Sequence, residues 1–192
     1  MSAVHAEMSA VLARPRSLPL AVATVGCVAL VARPPLLRAA PDATVTLAVL
    51  FVALLAVGAC LPTGARRAAP VCSPAVVVAL GVGAFALGRL LGGGDAPGPL
   101  SVELVALNTL AAMAEEAFFR RLVFDALRPG GAAVAVVGSS VLFALVHVTV
   151  YGAWVLPVDL AAGLVLSWQR WASGGWGAPA ATHVVANLAA VL

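Results

Sequence analysis

Residues 101–127 read SVELVALNTLAAMAEEAFFRRLVFDAL, an apolar helical run that carries Glu115, Glu116 and Arg120 in its interior. Acids or arginines at the centre of a membrane helix cost roughly 2.5–3.5 kcal/mol each on insertion scales. Three of them in one run therefore call for a functional explanation. Ser101 suits an N-cap and Glu103 the first turn, so the stretch is predicted to be one long helix. Neighbouring residues on a helix point about 100° apart, so the two carboxylates are not expected to aim at one point. Glu116 and Arg120 are four residues apart and can pair. This assigns Glu116 to an ion pair and leaves Glu115 for chemistry.

The rest of the chain supports a membrane setting. Of 192 residues, 62% are hydrophobic and 10% charged, and the mean hydropathy is +1.07. A soluble domain needs far less apolar residue to close one core. Apolar runs near 18–32, 43–61, 74–91, 101–124, 131–150, 154–168 and 177–192 predict an all-α polytopic bundle of about seven transmembrane helices, with six and eight as neighbouring counts. The breaks are Arg33-Pro34-Pro35, Pro62-Thr63-Gly64, Gly92-Gly93-Gly94, Arg128-Pro129-Gly130-Gly131 and Ser173-Gly174-Gly175. Between them no soluble domain fits. Residues 1–192 are expected to form a single membrane domain, with N-terminal helices over 1–100 and the polar motifs over 101–192.

The net charge of +3 comes from Arg alone, in short clusters between apolar runs. That pattern reads as topology and not as a nucleic-acid surface. Arg14, Arg16, Arg66, Arg67, Arg121, Arg128 and Arg170 fall on one side, against Arg33, Arg38 and Arg89 on the other. The positive-inside rule then expects a cytoplasmic N-terminus in a prokaryotic plasma membrane. Trp168, Trp171 and Trp176 would line the inner interface, Tyr151 and Trp154 the outer one. The first run follows a long polar leader, so a retained helix is favoured over a cleaved signal peptide. Cys27, Cys60 and Cys72 have no metal-ligand spacing and read as packing residues.

Further polar residues recur at helical spacing. The turn at Pro129 and Gly130 makes the following run an antiparallel partner, so Glu115 mirrors a position near Ala144, within about one turn of Phe143 and His147. Phe143 and His147 share a face at i and i+4, as do His183 and Asn187 on the last run, which Pro179 opens. With the inner interface near Arg121, Ser140 and Trp176, Glu115, His147 and His183 lie about 8–11 Å deep. Such a layer supplies a carboxylate to accept a proton from water, imidazoles to orient water or donate a proton, and an amide for an oxyanion. The same Glu115, His147 and His183 could instead ligate Zn²⁺ with an open fourth position. The residues alone leave both chemistries open. Asp159 is expected to pair with a donor or act as a second acid, Asn108 to share the face of Glu115, Arg89 to snorkel, and His5 to have no function.

In order, Glu115-Glu116-Ala117-Phe118-Phe119-Arg120, Phe143-Ala144-Leu145-Val146-His147 and His183-Val184-Val185-Ala186-Asn187 resemble the E-E-x-x-x-R, F-x-x-x-H and H-x-x-x-N motifs of the CPBP intramembrane proteases, which include the CAAX prenyl endopeptidases and bacterial Abi-type proteins. The resemblance covers about residues 101–192. It implies a multi-helix fold with a conical cavity open to the cytosol and peptide-bond hydrolysis centred on Glu115. By the same match His147 helps activate water, His183 and Asn187 stabilise the oxyanion, and Glu116 and Arg120 support the site. The family carries both metallopeptidase and metal-free glutamate readings, so zinc stays open. One departure is Arg121, where the family usually has Gly, with altered packing or access at the cavity mouth as the expected effect.

The sequence is therefore expected to encode an intramembrane endopeptidase acting on a membrane-associated or secreted peptide within the lipid bilayer, with no nucleic-acid partner. The rivals are a non-catalytic immunity or binding scaffold and a proton-coupled transporter, which Asp159-dependent flux and two symmetric halves would favour, and no such repeat is found.

Overall fold

The computed structural model describes residues 17–65, 69–92 and 101–191. Arg14, Arg16, Arg66, Arg67, His5, Gly93 and Gly94 lie outside the described residues. All regular structure among the described residues is helical: α1 (Ser17–Val31), α2 (Arg33–Ala39), α3 (Ala43–Cys60), α4 (Pro74–Gly92), α5 (Val102–Glu115), α6 (Phe124–Leu127), α7 (Ala132–Tyr151), α8 (Leu156–Ser173) and α9 (Gly177–Val191). Each of the seven expected runs falls on a helix. Length and apolarity sufficient to cross a membrane belong to three of them, α3, α4 and α7, and to a fourth if α1 and α2 count as one span bent by 56°. Polar residues, breaks or short length keep the others below that threshold, so the count of seven spans is not confirmed. The protein is nonetheless an integral membrane protein of helical class, its apolar side chains facing outward along α1, α3 and α4.

The ends of these helices follow the local chemistry. Ser101 caps α5, its Oγ accepting from the Leu104 amide at 3.0 Å. Asp42 caps α3 in the same way through the Val45 amide. Arg128–Gly130 forms a 3-10 turn, and Gly131 at φ +104° reverses the chain into α7. A side chain there would be strained, which is why glycine ends the hairpin.

One long helix over 101–127 is not what forms. Glu116–Val123 is a π-helical segment set between α5 and α6. The wider turn adds a residue per repeat without breaking the rod, a device frequent at functional sites. Every residue of this segment except Arg121 is buried. α3 closes over it at Gly58, where a Cβ would stand 2.5 Å from the Ala117 carbonyl carbon. Around the segment packs an apolar core that includes Leu30, Phe51, Leu54, Phe118, Phe119 and Phe143.

On the other side α7 and α8 pack closely through small residues. Ser139 and Ser140 of α7 both reach the Ser167 hydroxyl of α8, at 2.9 and 3.0 Å, and Gly163 lies against the Ser140 backbone. Close approach of small residues with hydroxyl bonds is how helices associate in lipid. α4 joins the bundle through Gln169, whose amide donates to the Val77 carbonyl and the Thr182 hydroxyl.

Candidate active site

Four helical segments bring acids and imidazoles together. Glu115 ends α5, Glu116 begins the π segment, His147 stands on the last turn of α7, and His183 lies in the second turn of α9. The Glu115 Oε1 is 3.7 Å from His147 Nε2, and its Oε2 is 4.0 Å from His183 Nε2. Behind them the His183 Nδ1 meets Glu116 Oε1 at 2.9 Å. The depth matching that linked Glu115 with His147 and His183 thus describes a real cluster.

The two carboxylates do share a target, contrary to the expectation drawn from their 100° separation. They reach opposite nitrogens of one ring, Glu115 at Nε2 and Glu116 at Nδ1. A ring inserted between the two acids resolves the angular conflict, and the π turn begins at this point.

The expected pair of Glu116 with Arg120 forms, with Oε2 and Nε 3.3 Å apart and both side chains fully sealed from solvent. The pair is close but not aligned as a hydrogen bond, since neither atom has a hydrogen-bond partner. Arg120 is held further by the Gly163 carbonyl at 3.4 Å and by the Phe143 ring, whose centroid is 4.3 Å from its guanidinium carbon. Glu115, His147 and His183 each keep 6–8% exposure, whereas Glu116 and Arg120 keep none. All five are buried, the Glu116–Arg120 pair completely.

His147 is fixed on three sides. Its Nδ1 lies 2.7 Å from the Phe143 carbonyl one turn below, the Tyr151 ring stacks on it at 5.9 Å, and Asp159 Oδ2 approaches Nδ1 at 3.6 Å. Asp159 therefore faces His147 as a charge neighbour, but its Oδ2 has no hydrogen-bond partner, so the donor it was expected to pair with is not found. Asn187 does not join the contact chain. Its amide donates to the Asn108 carbonyl at 3.3 Å, one turn along α9 from His183.

Several arginines read from sequence as topology markers are structural. Arg170 is buried, donating to Asp125 Oδ1 at 2.8 Å and to the Arg120 carbonyl at 2.8 Å. Arg121 donates to the carbonyls of Gly58 and Leu61 at the end of α3, so its place in the motif serves as a helix cap and not as a lining of the Glu115 cluster. Arg33 is also buried, over the Phe51 ring. Side chains committed in this way carry little weight for orientation.

A cavity of about 520 Å³ is lined by Thr63, Arg121, Asp125, Arg170 and Trp176, among others, and an apolar groove of about 830 Å³ runs between α4 and the start of α9. Neither is lined by a residue of the Glu115 cluster, so the expected buried cavity around Glu115 is not confirmed. Phe143 fills the space beside it, its ring 4.7 Å from His147 and 6.0 Å from His183. The fit to zinc is likewise poor. Among the described residues no group of three His, Cys, Asp or Glu side chains converges as a ligand set.

The helical membrane bundle thus brings a Glu-His-His cluster against a sealed Glu-Arg pair. Residues 97–189 match the family model described as type II CAAX prenyl endopeptidase Rce1-like. Over that stretch the match supports a CPBP-family membrane protease. Neither a curated protein nor a solved structure matches the chain.

Proposed function

We propose that the protein hydrolyses a peptide bond of a CAAX-type or other membrane-associated peptide, with Glu115 as the general base. The observation that carries this reading is the facing of the Glu115 carboxylate toward the Nε2 atoms of both His147 and His183. Separations of 3.7 and 4.0 Å are long for direct hydrogen bonds, yet they let one water bond an acid oxygen and a ring nitrogen together. Glu115 takes a proton from that water as its oxygen attacks the carbonyl carbon. His147, with Nδ1 directed to the Phe143 carbonyl, presents Nε2 to the same water and orients it. The proton held by Glu115 then passes to the leaving amine.

His183 has Nδ1 occupied by Glu116, so its Nε2 side is the one available to a developing oxyanion when it carries a proton. Asn187, one turn away, supplies its side-chain amide as a second donor to the same oxyanion, through the N–H not given to the Asn108 carbonyl. Glu116 and Arg120 position the ring from behind. No step runs through a metal, because the donor set does not converge; were zinc bound by Glu115, His147 and His183 after rearrangement, it would polarise the carbonyl or the water.

The test is cleavage of a farnesylated CAAX peptide by the purified protein in nanodiscs, comparing wild type with Glu115→Gln and with chelator-treated wild type. Loss of at least ~100-fold in kcat in Glu115→Gln, with unchanged thermal stability, is the expected result. Cleavage at the wild-type rate in that variant rejects the assignment, and chelator sensitivity would reassign Glu115 and the histidines as ligands.

A further inference from the structure

The cavity lined by Arg121, Asp125 and Arg170 stands apart from the Glu115 cluster, and its wall is rich in cation. Asp125 is occupied within the protein: its Oδ1 accepts from Arg170 at 2.8 Å and its Oδ2 from the Thr63 hydroxyl at 2.9 Å. Arg170, 5% exposed, donates through Nε and Nη2, which leaves Nη1. Arg121 is engaged through Nη1 alone, by the carbonyls that end α3, and it pairs with no acid among the described residues. Nε and Nη2 of Arg121 and Nη1 of Arg170 thus have no acceptor among the described residues, yet none of the three is sealed from the surface. Two guanidiniums face one carboxylate, and the surplus charge is that of Arg121. Planar guanidiniums with unengaged N–H groups suit an anionic ligand, a phosphate above all.

The place of the cavity says which phosphate. α3 and α4 are each long and apolar enough to cross a membrane, and Thr63, Ala65 and Pro70 of the wall lie between Cys60, where α3 ends, and Pro74, where α4 begins. The cavity is therefore at a membrane face, the level of lipid headgroups, and Trp176 in its wall is of the type that favours that level. It adjoins the apolar groove at Gly177, which lines both. From there the groove follows α4 from Pro74 to Gly83, about 14 Å along the span, past Val78, Ala79 and Val82. A cationic pocket at the membrane face that continues into an apolar groove matches a phospholipid, with its headgroup at one end and its acyl chain at the other. A free phosphate would use the cavity and leave the groove without a role.

We propose that the cavity and the groove together bind an anionic phospholipid, with Arg121 and Arg170 on the headgroup phosphate and one acyl chain laid along α4. The bound lipid would tie the end of α3 to the start of α9. Arg121 stands where the family motif usually has Gly, so the headgroup contact is a feature of this chain. Lipid binding involves no residue of the Glu115 cluster and does not depend on the peptidase reading.

The test is native mass spectrometry of the full-length protein in detergent, titrated with phosphatidylglycerol, phosphatidylcholine or inorganic phosphate, for wild type, Arg121→Gln, Arg121→Lys and Gly177→Leu. A Cβ at Gly177 would meet nothing within 4 Å, so the leucine enters open space and obstructs the junction while leaving both guanidiniums in place. Wild type is expected to hold phosphatidylglycerol at least about fivefold more tightly than phosphatidylcholine, as for one charge-assisted contact. Arg121→Gln is expected to bring that ratio near one, and Arg121→Lys to keep part of it. Gly177→Leu is expected to weaken both lipids by about fivefold or more and to leave their ratio unchanged. Equal binding of the two lipids by wild type, or a ratio that survives Arg121→Gln, overturns the headgroup site. Wild-type lipid affinity in Gly177→Leu overturns the groove, and displacement of phosphatidylglycerol by inorganic phosphate then assigns the cavity to a free phosphate. Displacement by a farnesylated peptide to the same extent in wild type and Arg121→Gln also overturns the lipid site and gives the groove to a prenyl chain. Because Arg121 caps α3, the lipid-free unfolding temperature of each variant is measured alongside; if Arg121→Gln does not fold, Arg121→Lys and Gly177→Leu decide the matter by the same ratios.

Discussion

His183 Nδ1 and Glu116 Oε1 lie 2.9 Å apart across 67 positions of chain, and this contact ties the last helix to the π segment. Glu116 is also the partner of the fully buried Arg120. One carboxylate therefore orients an imidazole and balances a sealed cation. Glu116→Ala leaves Arg120 buried without its counter-charge, for which a loss of ~3–5 kcal/mol is expected. Glu116→Gln keeps an acceptor for His183 and removes the charge, so activity should persist at a reduced rate if the variant folds. Thermal unfolding in detergent and cleavage rates on the folded fraction check both.

Asp159 approaches the same ring atom of His147 that already meets the Phe143 carbonyl, at 3.6 Å, and its Oδ2 has no hydrogen-bond partner of its own. A second acceptor on that side biases the proton to Nδ1 and leaves Nε2 for water. Asp159→Asn is expected to lower kcat by about tenfold with little change in KM, a part of what acid-base groups contribute. An unchanged kcat would show that the Phe143 carbonyl suffices.

Much of this site was legible in the sequence, for reasons specific to each residue. Glu116 and Arg120 pair because i and i+4 meet on any helix, and the Pro129-Gly130-Gly131 turn set α7 antiparallel, which brought His147 to the depth of Glu115. The π turn was not legible, because its sequence is an ordinary apolar run with charges, and the helices that pack around it, α3 foremost and then α1, α7 and α9, come from distant parts of the chain. The burial of Arg33 and Arg170 was hidden for the same reason. Arg170 is decided by Asp125, 45 residues away, and Arg33 by Phe51 on the next helix. Charge counting along a chain treats both as loop residues.

Gly58 tests whether the π turn is held from outside. A Cβ at this position would stand 2.5 Å from the Ala117 carbonyl carbon and 2.7 Å from the Phe118 amide nitrogen, both backbone atoms that cannot swing aside. Gly58→Ala is expected to push α3 away or deform the segment carrying Glu116, at a cost of ~1–3 kcal/mol typical of overpacking. Activity should fall with stability, since the shifted backbone is the one that positions Glu116. A variant with wild-type unfolding temperature would show that α3 yields without strain.

Arg121 provides the converse case, a charged residue beside the motif that does not serve the chemistry. Its guanidinium donates to the Gly58 carbonyl and, at 3.0 Å, to the Leu61 carbonyl, which are among the last acceptors of α3. Helix C-termini leave such carbonyls without intrahelical partners and favour a cation. The side chain is directed away from His147 and His183, toward the cavity lined by Asp125 and Arg170. Arg121→Gly, which restores the residue usual in the family motif, is therefore expected to lower stability by ~1–3 kcal/mol through lost charge-assisted bonds. Cleavage per folded molecule should stay within about twofold, because surface and cap changes away from the reacting atoms act on folding and not on the transition state. A large fall in kcat with unchanged stability would place Arg121 in the catalytic apparatus instead, and measuring unfolding and kcat on the same preparation separates the two.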